Sequence, residues 1–240
     1  ICSNREKNTA LKKVVIPDSV EKLGEYAFYN CSGINELDLG KKINMIGKRA
    51  FGNCTGLEKI TFNQKMNSVT IGTEAFLGCS SLRNVILPSG VKSIESEAFE
   101  NCTFLEEITL PEGLEYIGYD FIRGTNIKRI EIPSSVKRVG EYYVLNQGAL
   151  DGAQALEEVI FSEGMKEIPS YICSNREKNT ALKKVVIPDS VEKIGEYAFY
   201  NCENMTIYGM KNSYAQTYAK QNNIPFEILK EDASAFDISK

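Results

Sequence analysis

Residues 1–31 read ICSNREKNTALKKVVIPDSVEKLGEYAFYNC, and residues 172–202 read ICSNREKNTALKKVVIPDSVEKIGEYAFYNC. The two stretches lie 171 positions apart and differ only in Leu23 against Ile194. A catalytic pocket has no use for such a duplication, whereas an array that grows by copying whole units produces it. The internal period therefore has to be found first, because a missed repeat mis-assigns the whole fold. An apolar anchor followed by x-x-[VIL]-x-[IL] falls at Leu11, Ile34, Leu57, Leu82, Leu105, Ile127, Leu156 and Leu182. The spacings are 23, 23, 25, 23, 22, 29 and 26, so the 171-residue offset is seven whole coils.

Each coil repeats one physical grammar. LKKVVIP (11–17) turns Leu11, Val14 and Ile16 inward and stops at Pro17, which cannot donate to a ladder. A V-x-x-[IL]-G stretch follows, as at Val20, Leu23 and Gly24, and then A-F-x-[NG]-C, as at Ala27, Phe28, Asn30 and Cys31. Only Asn or Gly precedes the Cys (Asn30, Asn53, Gly78, Asn101), which predicts a backbone position with positive φ. One coil has too few apolar residues to bury them alone, so coils must stack into a continuous core.

The recurring pattern, as in LPSGVKSIESEAFENCTFLEEITLPEGLEYIG (87–118), resembles the BspA-type leucine-rich repeats of bacterial and protozoan surface proteins, over roughly residues 10–229. The resemblance implies a right-handed, mainly β leucine-rich repeat solenoid, with a parallel sheet on its concave face and short turns or 3₁₀ pieces elsewhere. It also implies an extracellular or cell-surface location and adhesion, often to host matrix proteins. NMTIYGMKNSYAQTYAKQNNIPFEIL (204–229) resembles the family's C-terminal cap. Its residues read the same way: Ser213 and Gln216 make a capping box, Tyr214, Ala215, Tyr218 and Ala219 share one apolar face, and Asn222, Asn223 and Pro225 end the helix. The expected organisation is a single solenoid over 1–229, of about eight coils, with a cap over 203–229 and a linker or tail over 230–240. The start at Ile1, without a signal-like segment, suggests a fragment that lacks its signal and anchor.

The net charge of −4 is spread along the chain, which argues against the basic footprint of a nucleic-acid protein. No stretch approaches a membrane span. Histidine is absent, which removes the commonest general acid/base and the commonest zinc ligand. No phosphate loop, dinucleotide fingerprint, zinc-protease or calcium-loop motif occurs, so no catalytic residue, metal site or cofactor is expected and the chain is read as a non-enzyme. Carboxylate pairs such as Glu106-Glu107 and Glu157-Glu158 fall on strands of an open sheet and read as solvated surface. Cys31, Cys54, Cys79, Cys102 and Cys202 share one repeat position, Cys2 and Cys173 another. A thiol ladder in the core is the reading, with disulfides between adjacent coils as its rival. The sequons at Asn30, Asn53 and Asn101 are by-products of the turn.

Two columns on the strand face alternate in sign: Lys13, Glu36, Lys59, Asn84, Glu107, Arg129, Glu158, Lys184, and Lys12, Asn35, Glu58, Arg83, Glu106, Lys128, Glu157, Lys183. Neighbouring strands lie about 4.8 Å apart, so these predict opposite-charge ladders. A third column, Val15, Asp38, Thr61, Ile86, Thr109, Glu131, Ile160, Val186, is expected to face solvent. β propensity alone would explain its β-branched residues; a partner-docking stripe at Thr61, Ile86 and Thr109, and again at Ile160 and Val186, is the alternative. Arg83 and Asn84 would form a polar rim. Coils six and seven depart from the pattern, with extra residues over 142–149 and 172–181 that should meet, as a bulge or a contact patch. The functional expectation is a monomeric surface module that binds a host or neighbouring-cell protein, or a glycan. The alternative is a passive stalk displaying other domains.

Overall fold

The computed structural model describes residues 8–140 and 147–229. Cys2, most of the coil-six insertion from Tyr142 and the 230–240 tail lie outside the described residues. Each coil carries two short strands. In chain order they are β1 (Lys13–Val15) and β2 (Lys22–Leu23), β3 (Glu36–Asp38) and β4 (Met45–Ile46), β5 (Lys59–Thr61) and β6 (Val69–Ile71), and β7 (Asn84–Ile86) and β8 (Val91–Ile94). Then follow β9 (Glu107–Thr109) and β10 (Tyr116–Ile117), β11 (Arg129–Ile132) and β12 (Arg138–Val139), β13 (Glu158–Phe161) and β14 (Glu167–Ile168), and β15 (Lys184–Val186) and β16 (Lys193–Ile194). The cap is β17 (Thr206–Gly209), α1 (Tyr214–Gln221) and β18 (Phe226–Ile228).

The result is a parallel β-solenoid of about 9 turns with, among the described residues, a single short helix near its C-terminal end. Every odd strand from β1 to β15 starts two residues after an anchor. That register puts the middle residue of each strand inward: Val14, Leu37, Val85, Ile108 and Val185 are buried, and Val14 pairs Leu37, which pairs Ile60. This first ladder is continuous in three segments, β1-β3-β5, β7-β9 and β11-β13-β15-β17-β18.

The even strands form a second parallel ladder, six-stranded from β2 to β12 and continued by β14-β16. The family resemblance implies only turns or 3₁₀ pieces there. The V-x-x-[IL]-G stretch pairs with its [IL] side chain turned inward, as at Leu23, Ile46, Ile94 and Ile117, and its glycine permits close stacking. Gly72 N–H donates to Ile46 O at 2.8 Å and Gly118 N–H to Ile94 O at 2.7 Å. A Cβ on Gly118 would come within 2.1 Å of the Ser96 nitrogen, so no side chain fits.

The A-F-x-[NG]-C stretch makes successive tight turns, with Tyr29 N–H donating to Tyr26 O at 3.1 Å and Cys31 N–H to Phe28 O at 3.2 Å. They do not merge into a 3₁₀ run, because Tyr26 (φ 55°) and Asn30 (φ 61°) are left-handed. Asn53, Gly78, Asn101, Gly124, Gly152 and Asn201 are left-handed too, as the Asn/Gly alternation predicts. Beneath these turns Phe28, Phe51, Phe76 and Phe99 stack nearly parallel at centroid separations of 5.1, 5.5 and 5.3 Å.

The cysteine column is only partly the expected thiol ladder. Cys54, Cys79 and Cys102 are buried free thiols, and their Sγ atoms donate to the carbonyls of Phe28, Phe51 and Phe76 at 3.1, 3.2 and 3.2 Å. Cys173 and Cys202 are free as well. Cys31 departs from this: it is disulfide-bonded.

At the C-terminal end Ser213 is the N-cap of α1, its Oγ accepting from Gln216 N–H at 3.2 Å. Gln216 Oε1 accepts from Asn212 N–H at 2.7 Å, one residue before the usual capping-box donor. Ala215 and Ala219 are buried, Tyr218 packs edge-on to Phe199 with centroids 6.1 Å apart, and β18 pairs with β17.

Candidate functional site

Among the predicted binding residues, those on β5, β7 and β9 face solvent. Thr61, Asn84, Ile86 and Thr109 are exposed, as is Arg83 just before β7, and Ile86 keeps 66% of its surface open. Register places Asn84 beside Glu107 and Ile86 beside Thr109. Thr61 lies across a break in the ladder from this pair, because β5 and β7 do not bond. One residue was missed. Phe104 is 54% exposed, and the Arg83 guanidinium sits 5.4 Å from its ring centroid. Its signal was available: the position before the anchor is Ala10, Gly33, Gly56, Ser81, Asn126, Ala155 and Ala181 in the other coils.

Ile160 and Val186 are not exposed. They keep 1% and 0% of their surface, so the stripe does not continue onto β13 and β15. The physical reason is their neighbours along the ladder. Ile160 pairs with Val186, and Val186 pairs with Tyr208, so apolar groups flank it on both sides. The Lys184 ammonium lies 5.3 Å from the Tyr208 ring centroid.

The second break, between β9 and β11, opens a groove of about 850 Å³. It falls at the 22-residue spacing, the shortest in the array. On the other side of β9 the residue after the anchor bonds to its equivalent, Glu106 N–H to Arg83 O at 2.9 Å; across the break the bond runs from the residue before the anchor, Asn126 N–H to Leu105 O at 2.9 Å. β9 and β11 are not laddered to each other. Ile108, Leu110 and Pro133 line the floor, with Glu106, Glu107, Glu112, Glu131, Lys128 and Arg129 around it.

The charge ladders form at both ends of the array but not at this groove. Lys13 reaches Glu36 at 2.9 Å and Asp38 at 3.1 Å. Arg129 reaches Glu158 at 3.1 Å, and Glu158 and Glu157 reach Lys184 and Lys183 at 2.7 and 3.0 Å. Its Lys13 partner holds Asp38 below the usual carboxylate range. Glu106 and Glu107 have no ion-pair partner among the described residues. Arg129 is drawn to Glu158 on the far side, and Glu131 Oε1 accepts from Ser162 Oγ at 2.9 Å. With four carboxylates against Lys128 and Arg129, the groove presents net negative charge above an apolar floor.

The long coils six and seven do meet. Gly148 N–H donates to Ser174 O at 3.2 Å, and Gly152 N–H to Asn175 Oδ1 at 3.3 Å. Around this seam sits a buried charge cluster. Asp120 Oδ2 accepts from Gln147 Nε2 at 3.0 Å and from Arg123 Nη1 at 3.2 Å, and Arg176 Nε lies 3.4 Å from Asp151. Burial, reinforced by the neighbouring Asp151 charge, pushes the Asp120 carboxyl up to about 7; burial also raises Asp151. Arg123 and Arg176 neutralise the cluster as an internal seam, although Asp120 Oδ1, Asp151 Oδ2 and Arg176 Nη2 are buried without a hydrogen-bond partner. Among the described residues no group of three or more His, Cys, Asp or Glu is placed to hold a metal ion, and no helix is long and apolar enough to cross a membrane.

The family model for the BspA type leucine rich repeat region matches in six copies, over residues 1–82, 24–151, 69–206 and 172–224. The chain belongs to the BspA-type leucine-rich repeat family. Among solved structures, this BspA-type array is similar to a leucine rich cell surface protein from Faecalibacterium prausnitzii A2-165, at 27% identity and a TM-score of 0.53, over 82% of this chain and 60% of that one. It thus spans about three-fifths of that protein's length. The pneumococcal vaccine antigen PcpA shares the fold, at 17% identity and a TM-score of 0.55, over 92% of this chain and 68% of that one. No curated protein matches the chain. The matched family is one of repeat scaffolds, and no catalytic family is indicated.

Proposed function

We propose that this BspA-type array is a protein-binding module of a bacterial cell-surface protein. Its occupant is an extended polypeptide segment carrying lysine or arginine, from a host matrix or neighbouring-cell protein. It docks in the groove between β9 and β11 and reaches across β9 to Ile86. The observation that supports this reading is the pairing pattern. Charges on the strand face are neutralised by neighbours at the ends of the array, but Glu106 and Glu107 are left without partners beside an apolar floor. An apolar centre with a charged rim is the usual layout of a binding patch, and negative charge favours a cationic partner through encounter rate and orientation.

The test is binding of the chain to immobilised matrix proteins, to glycans and to a lysine-rich model peptide, at low and at physiological salt. Specific, salt-sensitive binding to a protein or the peptide, lost in a Glu106→Lys/Glu107→Lys variant, is expected. Binding to glycans alone, or to nothing, would favour a glycan receptor or a passive stalk.

A further inference from the structure

The duplicated block carries a second observation, independent of the groove. Cys173 and Cys202 occupy the positions that Cys2 and Cys31 occupy in the first copy. Of the cysteines in the described first copy, Cys31 is disulfide-bonded, whereas Cys173 and Cys202 are both thiols. The flanking sequence is the same around both sites.

The geometry of the second copy is set up for a bond. In ordinary coils the column cysteine donates its Sγ–H to the carbonyl of the phenylalanine one coil earlier, as Cys54 does to Phe28 at 3.1 Å. Coil seven carries Cys173 at that phenylalanine position. Cys202 Sγ accordingly lies 3.1 Å from the Cys173 carbonyl oxygen. Asn175 bridges the two, its Nδ2 donating to Cys173 O at 2.8 Å and lying 3.8 Å from Cys202 Sγ. The Cys173 backbone is itself fixed against the next coil, its N–H donating to Ala198 O at 2.9 Å. A thiol here replaces a phenyl ring as the neighbour of the column cysteine, in a coil whose backbone is already docked.

We propose that Cys173 and Cys202 are a disulfide site, closed by exchange with a small-molecule disulfide, that ties coil seven to the coil carrying the C-terminal cap. Cys202 is half-buried and Cys173 buried, so Cys202 reacts first. Its thiolate attacks one sulfur of the small disulfide, forming a mixed disulfide and expelling one small thiolate. Cys173, deprotonated in turn, attacks the Cys202 sulfur and expels the second. Two protein thiols are oxidised, one small disulfide is reduced to two thiols, and the two S–H protons end on those thiols. Burial pushes the Cys202 thiol up to about 12, so closure is slow at neutral pH and accelerates with alkalinity. Cys79 and Cys102 are neighbours too, but both are fully buried in the middle of the core and stay reduced.

The test uses the whole chain, fully reduced, refolded, and incubated with oxidised glutathione at pH 7 and pH 9, then alkylated under denaturing conditions and mapped by mass spectrometry. The expected product is a cross-linked pair of peptides containing Cys173 and Cys202, two hydrogens lighter than the thiol forms. It should form faster at pH 9 and raise the urea midpoint relative to the reduced chain. Oxidation of Cys31 in the same tube is the internal control. Full alkylation of Cys173 and Cys202 in a sample where Cys31 has re-oxidised overturns the proposal, as does a cross-link mapping to Cys79 and Cys102 instead.

Discussion

Val15 is 61% exposed and Val186 is fully buried, although both sit in the same heptapeptide, LKKVVIP. Val15 has one neighbour along its column, Asp38. Val186 lies between Ile160 and Tyr208. The fate of a residue on this face is set by the coils beside it, not by its own coil. Val15→Lys should therefore change stability by no more than about 0.5 kcal/mol, the range of ordinary surface substitutions. Val186→Lys, which buries an ammonium without a partner, should cost about 3 kcal/mol or more. Urea midpoints of the two variants, side by side, check this; equal midpoints would contradict the burial difference.

What the sequence made legible follows from periodicity within one coil. The anchors at Leu11 through Leu182 located all eight outward-facing strands, because inward burial of every second residue needs only the local pattern. The left-handed turn at Asn30, Asn53 and Gly78 was legible because those residue types tolerate it. The equivalent left-handed position at Tyr26, Arg49, Glu74 and Asp120 was not, because there the stack imposes the conformation on residues that do not advertise it. The second ladder, the breaks at β5/β7 and β9/β11, and the burial of Ile160 and Val186 all depend on relations between coils, which a single-coil motif does not encode. For the candidate site, Ile86, Thr109, Arg83 and Asn84 were legible as outward strand residues, whereas the groove beside them lies at the break between β9 and β11, which no single-coil motif encodes.

The buried thiols give a packing test. Cys54 is fully buried, and its Sγ–H is used on Phe28 O. Cys54→Ala should destabilise by about 1–2 kcal/mol, through lost contacts and a small cavity. In the folded chain the fastest free cysteine toward a thiol reagent should be Cys202, the only one of the five that is not buried. Burial pushes Cys54 up to about 12 and Cys79 well above its ordinary value, so both should react only on unfolding. Peptide mapping after timed alkylation reads out the order; early labelling of Cys54 or Cys79 would show that the core opens locally.

Stability should fall as pH rises from about 4 to about 7. Asp120 has a folded pKa of about 7 against a reference of 3.8, so in that window the folded chain holds a proton that the unfolded chain releases. Its contribution is complete below the unfolded value and lost as pH climbs through the folded one. Burial raises Asp151, Glu97 and Glu100 as well, adding to the same slope. Lysine partners lower Asp18, Asp38 and Glu157 and produce the opposite slope, loss of stability on acidification below the usual carboxylate range. Maximum stability should thus lie on the acid side of neutral. Asp120→Asn should flatten the decline toward pH 7, as measured by urea midpoints at half-unit intervals; an unchanged slope would assign the effect elsewhere.

The last expectation concerns Ile86. Its side chain is open to solvent on β7 and adds nothing to the core, so Ile86→Lys should leave the unfolding midpoint within about 0.5 kcal/mol of the parent. For a cationic partner the same change removes apolar contact and adds like charge beside Thr109, at the edge of the groove. Affinity should drop by about 1–2 kcal/mol or more, with Ile86→Thr losing less because it keeps the β-branch and adds no charge. Titration of both variants against the partner or peptide that the parent binds, at two salt concentrations, separates the terms. A deficit in Ile86→Lys that shrinks at high salt toward that of Ile86→Thr identifies the charge. Parent-like affinity in both variants would remove β7 from the interface and leave the Glu106 and Glu107 side of the groove to carry binding alone.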